Sequence, residues 1–231
     1  MCIRDRILSY LRTVNTNETF KIPKQKEILA DLYDEADYYR LGELKDLLTQ
    51  FPASEILNRT QINELINLIG FDKFDQWKLL YRATQHGFKS KDFHSKCDGS
   101  SKTLTIVRTT NGYVFGGYTE AQWDSSGSYK YDAKAFIFSL VNREHTPVKI
   151  NVRNENFAIF CDYNLGPTFG YLYNYRDTYH DFAIADESNL NEDSFTQLGF
   201  SYNFNLVKSE TFLAGSKYFR VENIEVFKRV L

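Results

Sequence analysis

The chain has little cysteine, almost no methionine and almost no net charge, and each shortage narrows what it can do. Its 231 residues include 3 cysteines, Cys2, Cys97 and Cys161. The number is odd, the spacing is wide and no secretory leader precedes them. They read as reduced thiols, and the expected location is the cytoplasm. They form no C-x-x-C pair, so a zinc site from His86, His94 and Cys97 is not expected. The net charge of −2 gives no field to draw nucleic acid or anionic lipid. No apolar run approaches the roughly 18 residues of a membrane span, and no lipidation motif is visible. There is no G-x-S-x-G elbow, and Gly116-Gly117 lacks the strand–helix setting of a phosphate loop. No cofactor is implied by any of this.

What is abundant is aromatic. The chain carries 19 Phe and 16 Tyr against 1 Met, a bias that suits strands more than helices. Its strongest local signal is Thr103 to Thr119, where two β-prone runs flank Asn111-Gly112. Asn-Gly favours a two-residue type I′ turn. That turn pairs Arg108 with Phe115 and Ile106 with Gly117. Leu104, Ile106, Tyr113 and Phe115 then share one face, with Val107, Val114 and Tyr118 on the other.

Helical spacing covers Lys24 to Tyr39, with Gly42 as a stop, and Glu43 to Leu48. Glu55 to Ile69 reads as a helix capped by Ser54 and ended by Gly70, either a connector or the first packing element of the domain after it. Phe74 to Tyr81 also reads as helix, from Trp77, Leu80 and Tyr81. Lys91 to Cys97 reads as one helical turn. Ala135–Val141, Val148–Val152, Phe157–Cys161, Phe169–Tyr175, Phe182–Ala185, Phe200–Phe204 and Phe219–Lys228 read as strands. Many short strands opened by helices point to an α+β fold: an antiparallel β-sandwich with flanking helices.

Several ordered motifs carry a resemblance. Leu79-Leu80-Tyr81-Arg82-Ala83-Thr84-Gln85-His86-Gly87-Phe88 precedes the hairpin, followed by Asp92-Phe93-His94-Ser95-Lys96-Cys97-Asp98. Trp123, Tyr129, Asp132 and Ala135-Phe136-Ile137-Phe138-Ser139-Leu140 come after it. Gly166-Pro167-x-Phe169-Gly170, Leu213-Ala214-Gly215-Ser216 and Val221-Glu222-x-Ile224-Glu225-Val226-Phe227 complete the set. From about residue 72 to 231 the chain resembles the TLDc domain family of oxidation-resistance proteins. That resemblance implies two packed antiparallel sheets and a non-catalytic binding role, in oxidative-stress resistance and on the vacuolar proton-pumping ATPase.

Residues 7 to 50 resemble the second half of a BTB domain of the potassium-channel tetramerisation type. The carrying residues are Ile7-Leu8-x-Tyr10-Leu11-Arg12, Phe20-x-Ile22-Pro23 and Asp34-Glu35-Ala36-Asp37-Tyr38-Tyr39-x-Leu41-x-x-Leu44. Self-association is implied, and with it a cullin-type ubiquitin-ligase adaptor as an alternative role. The expected organisation is therefore a BTB-like fragment at 1–50, a connecting helix at 51–71 and a TLDc-like domain at 72–231. The first six residues fit no pattern, and the chain reads as a piece of a longer protein.

Two kinds of functional residue are expected. His94 and Cys97, three residues apart beside Lys96, are candidates for a thiol-based redox or enzymatic site. The competing reading is that they cap and pack a helix end. Trp123, Tyr118 and the tyrosines of 171 to 179, Tyr173 among them, are candidate partner anchors, because exposed aromatics dominate interfaces. Their competing reading is as plugs of the sandwich core. Asp124, Asp132, Asp162, Asp177, Asp181 and Asp186 sit at loops or strand ends. They are read as turn caps rather than as a glycosidase pair.

Overall fold

A computed structural model of the chain describes residues 2–14, 20–49, 51–174, 177–204 and 210–230, with backbone alone for 172–179. It opens with α1 (Ile3–Val14), α2 (Lys26–Tyr38) and α3 (Gly42–Leu48). Residues 3–6, which fit no sequence pattern, are the first turn of α1. These helices bury Ile7, Tyr10, Leu29, Leu32, Ala36, Leu44 and Leu48 around Phe74. Gly42 starts α3 rather than stopping α2. The left-handed residue after α2 is Arg40, at φ 56°, with Leu41 N–H closing back to the Ala36 carbonyl at 2.8 Å.

Helix α4 (Arg59–Ile69) starts later than its apolar stripe suggests. Asn58, not Ser54, caps it, in a reciprocal box with Gln61. The Ser54 hydroxyl instead accepts the N–H groups of Ile56 and Leu57 in the turn before it. Ile62, Leu65, Ile66 and Ile69 of α4 pack on a sheet, beside Phe51, Ile56 and Leu57. The segment is thus a packing element of the β domain.

Strands β1 (Gln76–Arg82), β2 (Thr103–Thr109), β3 (Val114–Thr119), β4 (Ser128–Lys130), β5 (Phe136–Val141), β6 (Val148–Asn151) and β7 (Ile159–Cys161) come next. Helices α5 (Ala83–His86) and α6 (Ser90–Cys97) lie between β1 and β2. Then come β8 (Thr168–Phe169), β9 (Leu172–Asn174), β10 (Asp177–Tyr179), β11 (Phe182–Ala183), β12 (Ser194–Thr196), β13 (Tyr218–Phe219) and β14 (Val221–Val230). One sheet runs β1-β14-β2-β3-β5-β6 and the other β13-β12-β11-β8-β7-β4, with β9–β10 as a separate hairpin. All described pairs are antiparallel. The expected α+β sandwich is the observed fold. The strand expected at 200–204 is a single bridge, Tyr202 to Val152.

The 74–81 helix is corrected to strand β1. The ladder to β14 slips between Leu79 and Tyr81, so Leu80 and Tyr81 both turn to the inter-sheet core while Trp77 faces α4. A bulge thereby imitates the i, i+3, i+4 spacing of a helix.

The hairpin is also corrected by one residue. Gly112 N–H bonds to the Thr109 carbonyl at 2.9 Å and Thr109 N–H to Tyr113 at 3.0 Å. The loop is Thr110-Asn111-Gly112, with Gly112 at φ 83°, a three-residue turn ending in a left-handed glycine. Arg108 therefore faces Val114, and Ile106 faces Gly116. The slip exchanges the faces of β3. Val114 and Tyr118 join Leu104 and Ile106 under α4, while Phe115 joins Val107 between the sheets.

The glycine pair in β3 is a close approach. A Cβ on Gly117 would lie 2.5 Å from Phe169 Cε1, and one on Gly116 1.9 Å from the Thr105 carbonyl oxygen. In β14, a register shift between Val221 and Asn223 lets Val221, Ile224 and Val226 all point between the sheets.

Candidate functional site

The two motif runs furthest apart in the chain meet in space. Arg82 ends β1 and Glu225 lies opposite it on β14. Arg82 Nε donates to Glu225 Oε1 at 2.7 Å, and the carboxylate has no exposed surface. The Glu55 N–H reaches the same oxygen at 2.8 Å, and the Ser54 hydroxyl donates to Glu225 Oε2. Arg82 Nη2 donates to the Ala53 carbonyl at 2.8 Å. Glu55 accepts from Thr84 and Arg82, and these contacts hold its carboxyl below the usual range. The hydroxyls of the network, on Ser54 and Thr84, donate to its two carboxylates. It buckles residues 53–55 onto the sheet edge.

Helix α6 brings His94 and Cys97 near each other without coupling them. Phe93 and Cys97 sink into the inter-sheet core. The Cys97 thiol is fully buried, and burial, with Asp98 adding to it, pushes it well above its ordinary value. A nucleophilic thiol needs the opposite shift. Both His94 ring nitrogens are taken by oxygens: Nδ1 lies 2.7 Å from Asp98 Oδ1, and Nε2 lies 2.9 and 3.0 Å from the carbonyls of Asp162 and Leu165. Cys161 is likewise buried, its thiol pushed up to about 12 by desolvation. Among the described residues no group of His, Cys, Asp or Glu is placed to hold a metal ion.

The anchor expectation fails on exposure for two residues. Trp123 has no accessible surface. Its Nε1 donates to Thr103 Oγ1 at 2.7 Å, and its ring packs edge-on to Phe93 and Phe169. Tyr118 is buried against Phe136 and Phe71 under α4. Both are core plugs. The Tyr173 backbone lies in β9, and its side chain falls outside the described residues.

An aromatic surface, of which the sequence singled out Tyr171 but not its neighbours, lies on the outer face of the second sheet. On β7, Ile159 and Cys161 point inward, so Phe160 points out. Phe160 pairs in register with Tyr129 on β4, and their rings stack at 4.5 Å. Tyr171 approaches Tyr129 at 4.2 Å, His180 stacks on Phe160 at 5.2 Å, and Phe195 lies 6.1 Å beyond His180. Phe157 packs on Tyr129 and Tyr171. Tyr129, Phe157, Phe160, Tyr171 and Phe195 are all half-buried. The signal that could have found them is alternation in short strands, but three-residue strands give too few positions to read it.

The ladder stands on polar supports. His180 is buried, which lowers its proton affinity, and its Nδ1–H donates to the Gly170 carbonyl at 2.7 Å. The Asp181 carboxylate accepts N–H groups from Gly199, Phe200 and Ser201 at 2.8, 3.1 and 2.8 Å. Burial pushes it up to about 7 against the pull of those donors. Asp181 is thus the cap of a loop, as expected for an aspartate at a strand end.

Known proteins share part of this sequence. A family profile described as the TLDc domain matches residues 51–229, taking in α4 and both sheets. The chain also aligns with proteins called MTOR-associated protein MEAK7. The Danio rerio protein is 28% identical over 64 residues, the Mus musculus protein 27% over 79 and the Xenopus laevis protein 24% over 108. These alignments cover 28%, 34% and 43% of this chain but only 14%, 17% and 24% of those proteins. Through the profile match, which spans most of its length, the chain belongs to the TLDc domain family.

Proposed function

We propose that the chain is a non-catalytic interaction module of the cytoplasm that engages the vacuolar proton-pumping ATPase and supports resistance to oxidative stress. The resemblance carried by the sequence motifs implies these partners and this role. The observation that carries a binding reading is the outer aromatic ladder, Tyr129–Phe160–His180–Phe195 with Tyr171. Half-exposed, mutually supported rings lose little side-chain freedom on docking, so they are efficient anchors. Tyr173 stays a candidate partner anchor on its sequence alone. The relatives' name adds an mTOR-containing assembly as a second protein partner to test.

In the same reading, residues 1–50 mediate BTB-like self-association. The support is a separate small core and exposed apolar side chains at Leu8, Tyr38 and Tyr39. The thiol alternative has a core-buried Cys97 against it. The test is binding of the intact chain to purified pump subunits, comparing wild type with Tyr129→Ala and Tyr171→Ala. Light scattering on the same sample reports self-association. Ladder variants that keep their melting temperature and bind as well as wild type overturn the surface assignment.

A further inference from the structure

We propose that His94 is a proton-operated clasp, holding the Asp162–Leu165 loop to the end of α6 when its ring carries both protons and releasing it when one leaves. The chain has 4 histidines. At His86, Nδ1 accepts the Arg82 N–H at 3.0 Å. At His180, Nδ1 donates to one carbonyl at 2.7 Å. His94 differs from both, because each of its nitrogens faces an acceptor. Nδ1 meets the Asp98 carboxylate, and Nε2 meets two backbone carbonyls of one loop. A neutral imidazole has one N–H to offer. The Asp98 carboxylate keeps the Nδ1 proton in a charge-assisted bond, so the proton that leaves is the one on Nε2, whose lone pair then meets carbonyl lone pairs inside a buried contact, since His94 is 5% exposed. The geometry is complete only with two donors.

The surroundings fit a local device. The titratable groups facing the ring are the Asp98 carboxylate on α6 and the Tyr163 ring on the loop; Asp162 turns its backbone carbonyl to the imidazole, while its carboxylate accepts from Asn164. Cys97 and Lys96 are its neighbours along the helix. Asp98 is itself oriented by the Ser125 hydroxyl at 2.7 Å, and Tyr163 lies parallel to the imidazole at 6.4 Å. The front of α6 holds the same loop independently, Ser90 Oγ donating to the Asn164 carbonyl at 2.9 Å, with Asp186 accepting the Ser90 N–H at 2.7 Å. Loss of the His94 proton therefore loosens the loop at Asp162 and Leu165 while Ser90 still ties Asn164 to the helix. The loop directly follows β7, which carries Phe160.

The test uses the full chain, labelled at the histidine ring nitrogens. Long-range proton–nitrogen spectra count the protons on His94, while hydrogen exchange is followed at the amides of Asn164, Leu165 and Gly166. Exchange is corrected for its intrinsic pH dependence, and the range is limited to pH values where core amides stay protected. Protection of these three amides falls about tenfold as the ring passes from two protons to one, the scale of one charge-assisted hydrogen bond. In Asp98→Asn the neutral ring is satisfied, with Nδ1 accepting from the new amide and Nε2–H still on the carbonyls. Loop protection in that variant stays high and flat with pH. His94→Gln removes the ring's titration, and protection there is also flat. A ring with one proton throughout the range overturns the proposal. So does loop exchange that ignores the ring's titration, or an Asp98→Asn variant with the full wild-type pH response.

Discussion

Arg82 and Glu225 face each other across β1 and β14, Nε to Oε1 at 2.7 Å, in a contact where the carboxylate is wholly buried. The pair joins the edge strand to the closing strand, and through Ser54 and Glu55 it fastens the approach to α4. Removing one partner strands a buried charge, so Glu225→Ala costs about 3–5 kcal/mol. Replacing both, as Arg82→Met with Glu225→Leu, costs less than the sum of the singles. Urea melts of the four proteins check this. Single and double losses that add within error would mean the pair is not coupled.

The β3 glycines differ in what they meet. Gly117→Ala pushes a methyl into the Phe169 ring, and overpacking of this kind costs about 1–3 kcal/mol. Phe169→Leu in the same chain recovers part of it, because the obstacle is a side chain. Gly116→Ala meets the Thr105 backbone oxygen, and no side-chain change relieves it. Thermal melts of the singles and the Phe169→Leu combinations distinguish the two sites.

The thiols report the fold. Cys2 is exposed, while Cys97 and Cys161 are buried. A disulfide reagent at neutral pH modifies one thiol fast and the other two only at the rate of opening. Rapid modification of Cys97 in folded protein would revive the redox reading.

His180 gives the acid side a defined slope. Its folded-state affinity for a proton is lowered by burial, so the unfolded chain takes up a proton that the folded chain refuses. Stability from this group is present above the ordinary histidine value of 6.5 and lost as pH falls below it. His180→Asn, which keeps a donor toward Gly170, loses less stability than wild type between neutral pH and about pH 5. Melts of both proteins across that range measure the difference. Parallel curves would place the imidazole in contact with water.

The fold class was legible because aromatic runs broken by turn residues admit few architectures. The near-continuous apolar run of β5 was read as a strand, and it is buried on both faces. What misled were single-residue events. One bulge at Leu80 made a strand look helical, and one extra loop residue after Thr109 swapped the faces of β3. Trp123 sits in a polar loop, yet burial took it, because a loop folded over a sheet edge can fill a core. The Arg82–Glu225 pair was present in two motifs, but 143 residues separate its members, and nothing local joins them. The aromatic ladder is assembled from several short strands and loops, none long enough to display a face by itself.

The central claim is that this chain acts through a surface and not through a thiol. Its most direct measurement is the affinity of the intact chain for purified vacuolar proton-pump subunits, taken for wild type, Cys97→Ser and Tyr129→Ala with Tyr171→Ala. The expected result is that Cys97→Ser binds within about twofold of wild type and that the double tyrosine variant binds at least about tenfold more weakly. Loss of binding in Cys97→Ser with full binding by the folded tyrosine variant would contradict it.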